Sequence, residues 1–265
     1  MNKPHIYLSP HPDDVALSCG GCIYDQSRQG EPVLVVTFFG ASPPPMAFSS
    51  FAQGQHDKWE VEIDAMAHRR AEDMAALKVL GAEPLYLDYL DCIYRLHPQT
   101  GETMYASEEG IFGEIDPAEA GFHLALAQHI VEIAGSPRLG LTLYVPLTAG
   151  HHVDHQLLQR AGIALLGQGY RVMFYEDHPY AAKPGMIEAA LAAWRGPKPL
   201  QPHILPISEA AMAARIAAIA CYASQIRTLF TDLATMESLI RGYCASLAQG
   251  GGYAERYWLP RATNA

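Results

Sequence analysis

The chain has 265 residues, of which 49% are hydrophobic, which is enough to bury one large core or two small ones. Its formal net charge of -10 argues against the basic surface that binds nucleic acid or anionic lipid. No segment has the ~20 apolar residues of a membrane-spanning helix. Only a three-residue apolar stretch precedes Ser9, unlike a signal peptide. The five cysteines, an odd number, do not suggest a disulfide framework. We therefore expect a cytoplasmic protein that contacts neither nucleic acid nor membrane, and oligomeric state stays open.

Short apolar runs alternate with helical patterns along the chain, which predicts βαβ units and a mostly parallel sheet. Two polar, Gly/Pro-containing stretches, 40–58 and 91–121, fit no regular element and are interpreted as long loops that face substrate, with plain surface loops as the alternative. The predicted strands are 6–8, 33–39, 84–87, 141–145, 171–175 and 203–207, and the predicted helices are 60–80, 122–134 and one that Ser208 caps.

Two clusters of imidazole and carboxylate groups each follow a predicted strand. Residues 9–14 read SPHPDD and come after strand 6–8, and residues 151–155 read HHVDH and come after strand 141–145. In open α/β sheets, ligands bind in the crevice beyond the carboxyl ends of the strands. We therefore expect both clusters to line one site.

The first cluster has the composition of half a metal site. His11 and Asp14, three residues apart, supply two ligands that suit a divalent ion of zinc type. Asp13, between them, stays free to take a proton from an attacking water. Taken alone, Asp13 and Asp14 are also good helix N-capping residues, which is the structural alternative.

The second cluster offers the remaining groups. His152 and His155 share a face of a helical turn, so one of them completes the metal site while the other points at the substrate. Three protein ligands leave a position open for water, as in catalytic zinc sites. The second histidine would stabilise an oxyanion or protonate a leaving amine, and Asp154 would orient it. Taken alone, an HxxH pair also arises by chance on surface helices.

The two clusters together resemble the PIG-L/LmbE-like metal-dependent N-deacetylases, which carry HPDD followed by a Gly-Gly pair, here Gly20-Gly21, and a later HVDH. Residues 69–72 (RRAE) with Leu80-Gly81 are similar to the RxxE…LG helix of that family. Further segments look like a bacterial subgroup, so the resemblance covers nearly the whole chain: 90–95 (LDCIYR), 107–109 (SEE), 175–180 (YEDHPY), 222–225 (YASQ) and 255–258 (ERYW).

The resemblance implies a single Rossmann-like domain over residues 1–265, with a mostly parallel sheet flanked by helices. It implies hydrolysis of an N-acetyl group on an N-acetylglucosamine-type sugar or glycoconjugate, with Zn²⁺ or another divalent ion such as Fe²⁺. By position, the metal ligands would be His11, Asp14 and His155, the general base would be Asp13, and the acid or oxyanion donor would be His152, paired with Asp154.

Seven further residues are candidates for substrate binding. They lie in the RRAE motif, at the start of the second long loop and at the end of strand 171–175, where surface charges and capping residues are the alternatives. They are Arg69, Arg70, Asp91, Tyr94, Arg95, Glu176 and Asp177. The chain also departs from the family: Val15 stands where many members have Glu, and Gly150 stands where some have a tyrosine.

Two other functions compete with the deacetylase. A non-haem iron oxygenase also uses two histidines and one carboxylate, but its ligands usually read H-x-D/E on a β-barrel, and here the spacing is H-x-x-D. A non-catalytic sugar-binding protein on the same fold would not need Asp13 or His152, yet both are present. Nucleotide binding has no support, because neither GxGxxG after a strand nor GxxxxGK[ST] occurs.

Overall fold

The computed structural model describes residues 4–59 and 64–261. Its strands are β1 (His5–Ser9), β2 (Val33–Thr37), β3 (Glu83–Tyr86), β4 (Thr142–Pro146), β5 (Arg171–Tyr175), β6 (Leu200–Ile207) and β7 (Tyr253–Pro260). They form one sheet in the order β3-β2-β1-β4-β5-β7-β6. The first five strands run parallel, and β7 pairs antiparallel with both β5 and β6. The predicted mostly parallel α/β sheet is therefore confirmed.

Helices cover both faces of the sheet because the strand side chains alternate between two apolar cores. In β1, Ile6 and Leu8 enter one core and Tyr7 enters the other. No helix in the described part of the chain is long and apolar enough to cross a membrane. The helices are α1 (Asp14–Arg28), α2 (Ser50–Trp59), α3 (Ala65–Leu80), α4 (Glu108–Ile111), α5 (Phe122–Ala134), α6 (Val153–Gly167), α7 (Met186–Ala193), α8 (Glu209–Ile219), α9 (Ala223–Phe230) and α10 (Leu233–Leu247).

Several elements differ from the predictions. The predicted helix 60–80 is α3, which begins at Ala65 after Asp64 caps it, and residues 60–63 lie outside the described residues. The segment 40–58 contains α2. Strand β7 escaped prediction because Glu255 and Arg256 interrupt its apolar pattern; Glu255 is nevertheless buried, since Arg215 pairs with it at 3.0 Å.

The strand order fixes where the site lies. Strands β1 and β4 are neighbours, but the chain passes from β1 to β2 on one side, and from β4 to β5 on the other. This reversal opens a crevice beyond the carboxyl ends of β1 and β4. Helix α1 begins at Asp14 and helix α6 begins at Val153, so both sequence clusters meet at this crevice.

Candidate metal centre and active site

The turn after β1 aims two carboxylates in different directions. Ser9 ends the strand, and its hydroxyl donates to the His11 carbonyl oxygen over 2.7 Å. Asp13 precedes α1 with φ 127°, a left-handed conformation that side chains rarely adopt. Such strain concentrates at functional sites, and here it separates Asp13 from Asp14, which starts the helix.

The turn after β4 positions His152. Its Nδ1 accepts a hydrogen bond from the Asp154 backbone N–H at 3.2 Å and so caps α6. A neutral ring with Nδ1 as acceptor carries its proton on Nε2, which makes this atom a hydrogen-bond donor. Burial, and next the charge of His11, keep the pKa of His152 well below its ordinary value. The ring is therefore arranged to donate a hydrogen bond and not to act as a cation.

Three side chains have the spacing of ligands around one ion. Asp14 Oδ2 lies 3.2 Å from His11 Nδ1 and 3.3 Å from His155 Nε2. Nitrogen and oxygen ligands bound at 2.0–2.1 Å in tetrahedral geometry are about 3.3–3.4 Å apart. The two distances and the donor set of two imidazoles and one carboxylate fit a first-row divalent metal.

A buried carboxylate holds the other nitrogen of each of these two imidazoles. His11 Nε2 is 3.0 Å from Asp154 Oδ2, and His155 Nδ1 is 2.6 Å from Asp177 Oδ1. Carboxylates in this position fix the tautomer and the orientation of metal-binding histidines. The ring nitrogens of His11, His152 and His155 also come within 4.8 Å of one another. The carboxylate partners favour His11 and His155, with Asp14, as the ligand set.

The charges around this cluster favour a cation. Burial alone would lower the pKa of His11, but Asp91, Asp14 and Asp154 raise it to about 10. The pKa of His155 is likewise raised against the effect of burial, by Asp14 and Asp177. The carboxylates therefore hold protons on both imidazoles, and a divalent metal competes for the same two nitrogens.

Asp13 has the properties of a general base. Burial raises the pKa of its carboxyl, Arg69 lowers it and Asp14 raises it, with a net value of about 7. Arg69 Nη2 donates to Asp13 Oδ2 over 3.1 Å, and the guanidinium lies 4.8 Å from the Trp59 ring centre. A carboxylate with a pKa near neutrality can accept a proton and give it back at the pH of the cell.

A cavity of about 500 Å³ opens onto these groups. His11, Asp13, Asp14, His152 and His155 all line it. Its walls come from α2, the segment 91–121, the turn after β5, α9 and α10. They include Trp59, Asp91, Phe112, Tyr180, Phe230 and Ile240.

Of the seven candidate substrate residues, Arg69 and Asp91 line this cavity. Arg70, one position further along α3, points elsewhere and donates to the Gly40 carbonyl oxygen over 2.5 Å. Tyr94 is buried, and its hydroxyl is 2.5 Å from His56 Nε2 on α2. Both side chains hold loop segments in place and neither lines this cavity, and their contact with substrate stays a prediction.

The side chains of Arg95, Glu176 and Asp177 also bind other protein groups. Arg95 forms buried ion pairs of 2.6 Å with both Asp154 and Glu119. Glu176 accepts from Arg256, Trp258 and Tyr243 beside β7. Asp177 contacts His155 Nδ1 through one carboxylate oxygen. None of these three residues lines the cavity, and their substrate roles stay predictions.

The expected pairing of Asp154 with His152 stays a prediction, and the Asp154 carboxylate has other hydrogen-bond partners in the described residues. Only the backbone N–H of Asp154 reaches His152, while its carboxylate serves His11, Arg95 and the Cys92 backbone N–H. Tyr180 and Phe112 in the cavity wall were not anticipated from the sequence. The Phe112 ring packs edge-on against His152 at 5.5 Å.

At its switch point, the Rossmann-like sheet carries a buried cluster of imidazoles and carboxylates that could hold a metal ion, with Asp13 beside it, and this arrangement fits a hydrolase. Residues 6–166 match the family described as PIG-L, GlcNAc-PI de-N-acetylase. The chain therefore belongs to the PIG-L family and is an N-deacetylase.

Relatives agree with this assignment. The chain is 30% identical over 190 residues to 2'-N-acetylparomamine deacetylase of Niallia circulans, covering 67% of this chain and 68% of that protein. It is 29% identical to 2'-N-acetylparomamine deacetylase of Streptomyces fradiae, covering 67% and 58%.

Solved structures extend the similarity over the whole chain. A zinc-inhibited form of teicoplanin deacetylase Orf2 superposes with a TM-score of 0.84 at 26% identity, covering 99% of this chain and 100% of that chain. The A40926 pseudoaglycone deacetylase Dbv21 gives a TM-score of 0.75 at 25% identity, covering 100% of both.

Proposed function

We propose that this protein is a zinc-dependent deacetylase that removes the acetyl group from an N-acetylglucosamine-type sugar carried by a larger molecule. The observation that carries the proposal is the pair of His–carboxylate contacts behind His11 and His155, with Asp13 left facing the cavity. The named activities of the relatives, on N-acetylparomamine and on teicoplanin, support an amino sugar in a glycoconjugate as the substrate.

His11, Asp14 and His155 would hold the zinc ion. When bound, zinc supplies Lewis acidity, which brings the pKa of a water toward neutrality and polarises an amide carbonyl. The alternative of iron and oxygen chemistry has less support, because Asp13 is a base with no role in that chemistry. A non-catalytic role has less support for the same reason.

Asp13 takes the proton from the water that attacks the acetamide carbon. As the bond between carbon and nitrogen breaks, the same carboxyl is placed to return that proton to the amine nitrogen, which balances the reaction to acetate and amine. His152 Nε2–H donates a hydrogen bond to the carbonyl oxygen as negative charge develops on it. Arg69 holds the Asp13 carboxylate through its 3.1 Å contact.

The test is acetate release, detected by mass spectrometry, from a panel of N-acetylglucosaminyl compounds, with zinc content measured on the same samples. Asp13→Asn and Asp14→Asn form a matched pair of neighbouring residues. We expect Asp13→Asn to keep zinc and lose nearly all turnover, and Asp14→Asn to lose zinc. Zinc loss from Asp13→Asn, with zinc retained by Asp14→Asn, would reverse the two assigned roles.

A further inference from the structure

Tyr180 is a polar side chain in the cavity that the mechanism above does not use. It starts the 3₁₀ turn Tyr180–Ala182 after β5 and lines the same cavity as His11, Asp14 and His152. Across residues 4–59 and 64–261, its hydroxyl makes no hydrogen bond, whereas the hydroxyl groups of Tyr94 and Tyr175 each have a partner. A hydroxyl group in an active-site wall without a protein partner is free to bind a substrate atom.

Gly150 sets the position of the Tyr180 ring. A Cβ atom at Gly150 would lie only 2.6 Å from Tyr180 Cγ, so the ring occupies the place of the missing side chain. Gly150 also has φ 98°, which disfavours any other residue there. On another side, the ring of Phe112 lies 5.7 Å from the Tyr180 ring and 5.5 Å from the His152 ring. The Phe112 ring therefore contacts both Tyr180 and His152.

The phenol keeps its proton near neutral pH. Burial raises the pKa of Tyr180 well above its ordinary value, and the charges of Asp14 and Asp13 raise it further. The charges of Asp13 and Asp14 therefore act on the Tyr180 hydroxyl, which stays protonated and remains a hydrogen-bond donor. Of the residues that line the cavity, Tyr180 is the one tyrosine.

We propose that Tyr180 is a catalytic residue whose O–H donates a hydrogen bond to the oxyanion of the deacetylation transition state. The proposal rests on the proposed function. As the water oxygen bonds to the acetamide carbon, the electron pair of the carbonyl π bond moves onto the carbonyl oxygen. Tyr180 and His152 would both donate to this oxygen, and Tyr180 itself forms no covalent bond and loses no proton. Donors that are positioned before the charge develops stabilise it without reorganisation.

Tyr180→Phe is the decisive variant because it removes one oxygen and leaves the ring on Gly150. Loss of a single oxyanion donor typically lowers kcat by about 10²–10³-fold. We expect such a fall in kcat, with KM changed less than about threefold and zinc content unchanged. Affinity for a tetrahedral phosphonamidate analogue of the substrate should fall by about the same factor as kcat/KM, while affinity for the amine product stays constant. Tyr24→Phe on α1, outside the cavity lining, is the matched control and should behave as wild type.

A second variant separates a catalytic role from a packing role. If Tyr180 and His152 donate to the same oxygen, Tyr180→Phe should cost much less in a His152→Ala background than in wild type. Multiplicative losses in this cycle, or equal losses of analogue and product affinity, would overturn the proposal. So would a kcat within threefold of wild type on a substrate that the wild type deacetylates. A wild type that carries zinc and releases acetate from none of the panel would contradict the proposed function itself.

Discussion

Asp177→Asn tests the metal ligand set without touching a ligand. Asp177 is 1% exposed, and its two oxygens accept from His155 Nδ1 at 2.6 Å and from the Ala149 backbone N–H at 2.9 Å. An asparagine at this position has one acceptor oxygen for the two donors. Its NH₂ group must face either Ala149 N–H or His155 Nδ1–H. In the second case, His155 moves its proton to Nε2, the atom that faces Asp14 Oδ2 and the metal position.

The size of the effect follows from this single contact. Loss of a carboxylate behind a metal-binding histidine typically weakens metal binding 10- to 100-fold. At 1.4 kcal/mol for each factor of ten, this is about 1.4–2.8 kcal/mol of zinc binding free energy. We expect the zinc dissociation constant of Asp177→Asn to rise by that factor, and kcat of the fully loaded enzyme to fall less steeply.

The assay is competition for zinc with a chromogenic chelator of known affinity. Glu176→Gln is the matched control, because this neighbouring carboxylate binds Arg256 and Trp258 and not the histidines. Its zinc affinity should equal that of the wild type. If a folded Asp177→Asn kept its zinc dissociation constant within threefold of wild type, His155 would not be the ligand that this geometry indicates.

Three further predictions concern stability, the base and the metal. Arg95→Met removes the guanidinium that pairs with the buried carboxylates of Asp154 and Glu119, and should lower the free energy of unfolding in urea by about 3–5 kcal/mol. The matched control is Arg241→Met, which removes more exposed ion pairs and should cost less than about 1 kcal/mol. Arg69→Ala should lower kcat by about 10²-fold, because the Asp13 carboxylate loses the contact that positions it. Arg70→Ala should leave kcat within threefold of the wild-type value. Chelation of the metal should lower Tm and abolish acetate release, and added zinc should restore both; an unchanged Tm would argue against a bound ion in the folded enzyme.

The sequence predicted the sheet and the position of the site, because these depend on patterns that a single chain displays. Alternating apolar runs and helices predict parallel strands, and two His/Asp clusters after two strands meet wherever those strands become neighbours. The elements that escaped prediction depend on distant partners. Strand β7 contains a buried Glu255 that becomes favourable only when Arg215 from α8 reaches it.

The roles of adjacent charged residues could not be predicted from sequence order. Glu176 and Asp177 follow a strand, where successive side chains point to opposite sides. Glu176 therefore accepts a hydrogen bond from Trp258 on β7, whereas Asp177 contacts His155. Arg69 and Arg70 are neighbours on α3, about 100° apart around its axis, so only Arg69 reaches Asp13. Only the packed structure shows which member of each pair faces the site.

The close contact of Gly150 and Tyr180 places a condition on this active site. A side chain at position 150 and the ring at position 180 would occupy the same volume, since the added Cβ would lie 2.6 Å from Cγ. An aromatic side chain can therefore occupy this volume from position 150 or from position 180, but not from both. It follows that a tyrosine introduced at Gly150 should restore activity only when Tyr180 is first reduced to a small residue. Gly150→Tyr alone should instead displace the existing ring and lower kcat, with zinc content unchanged.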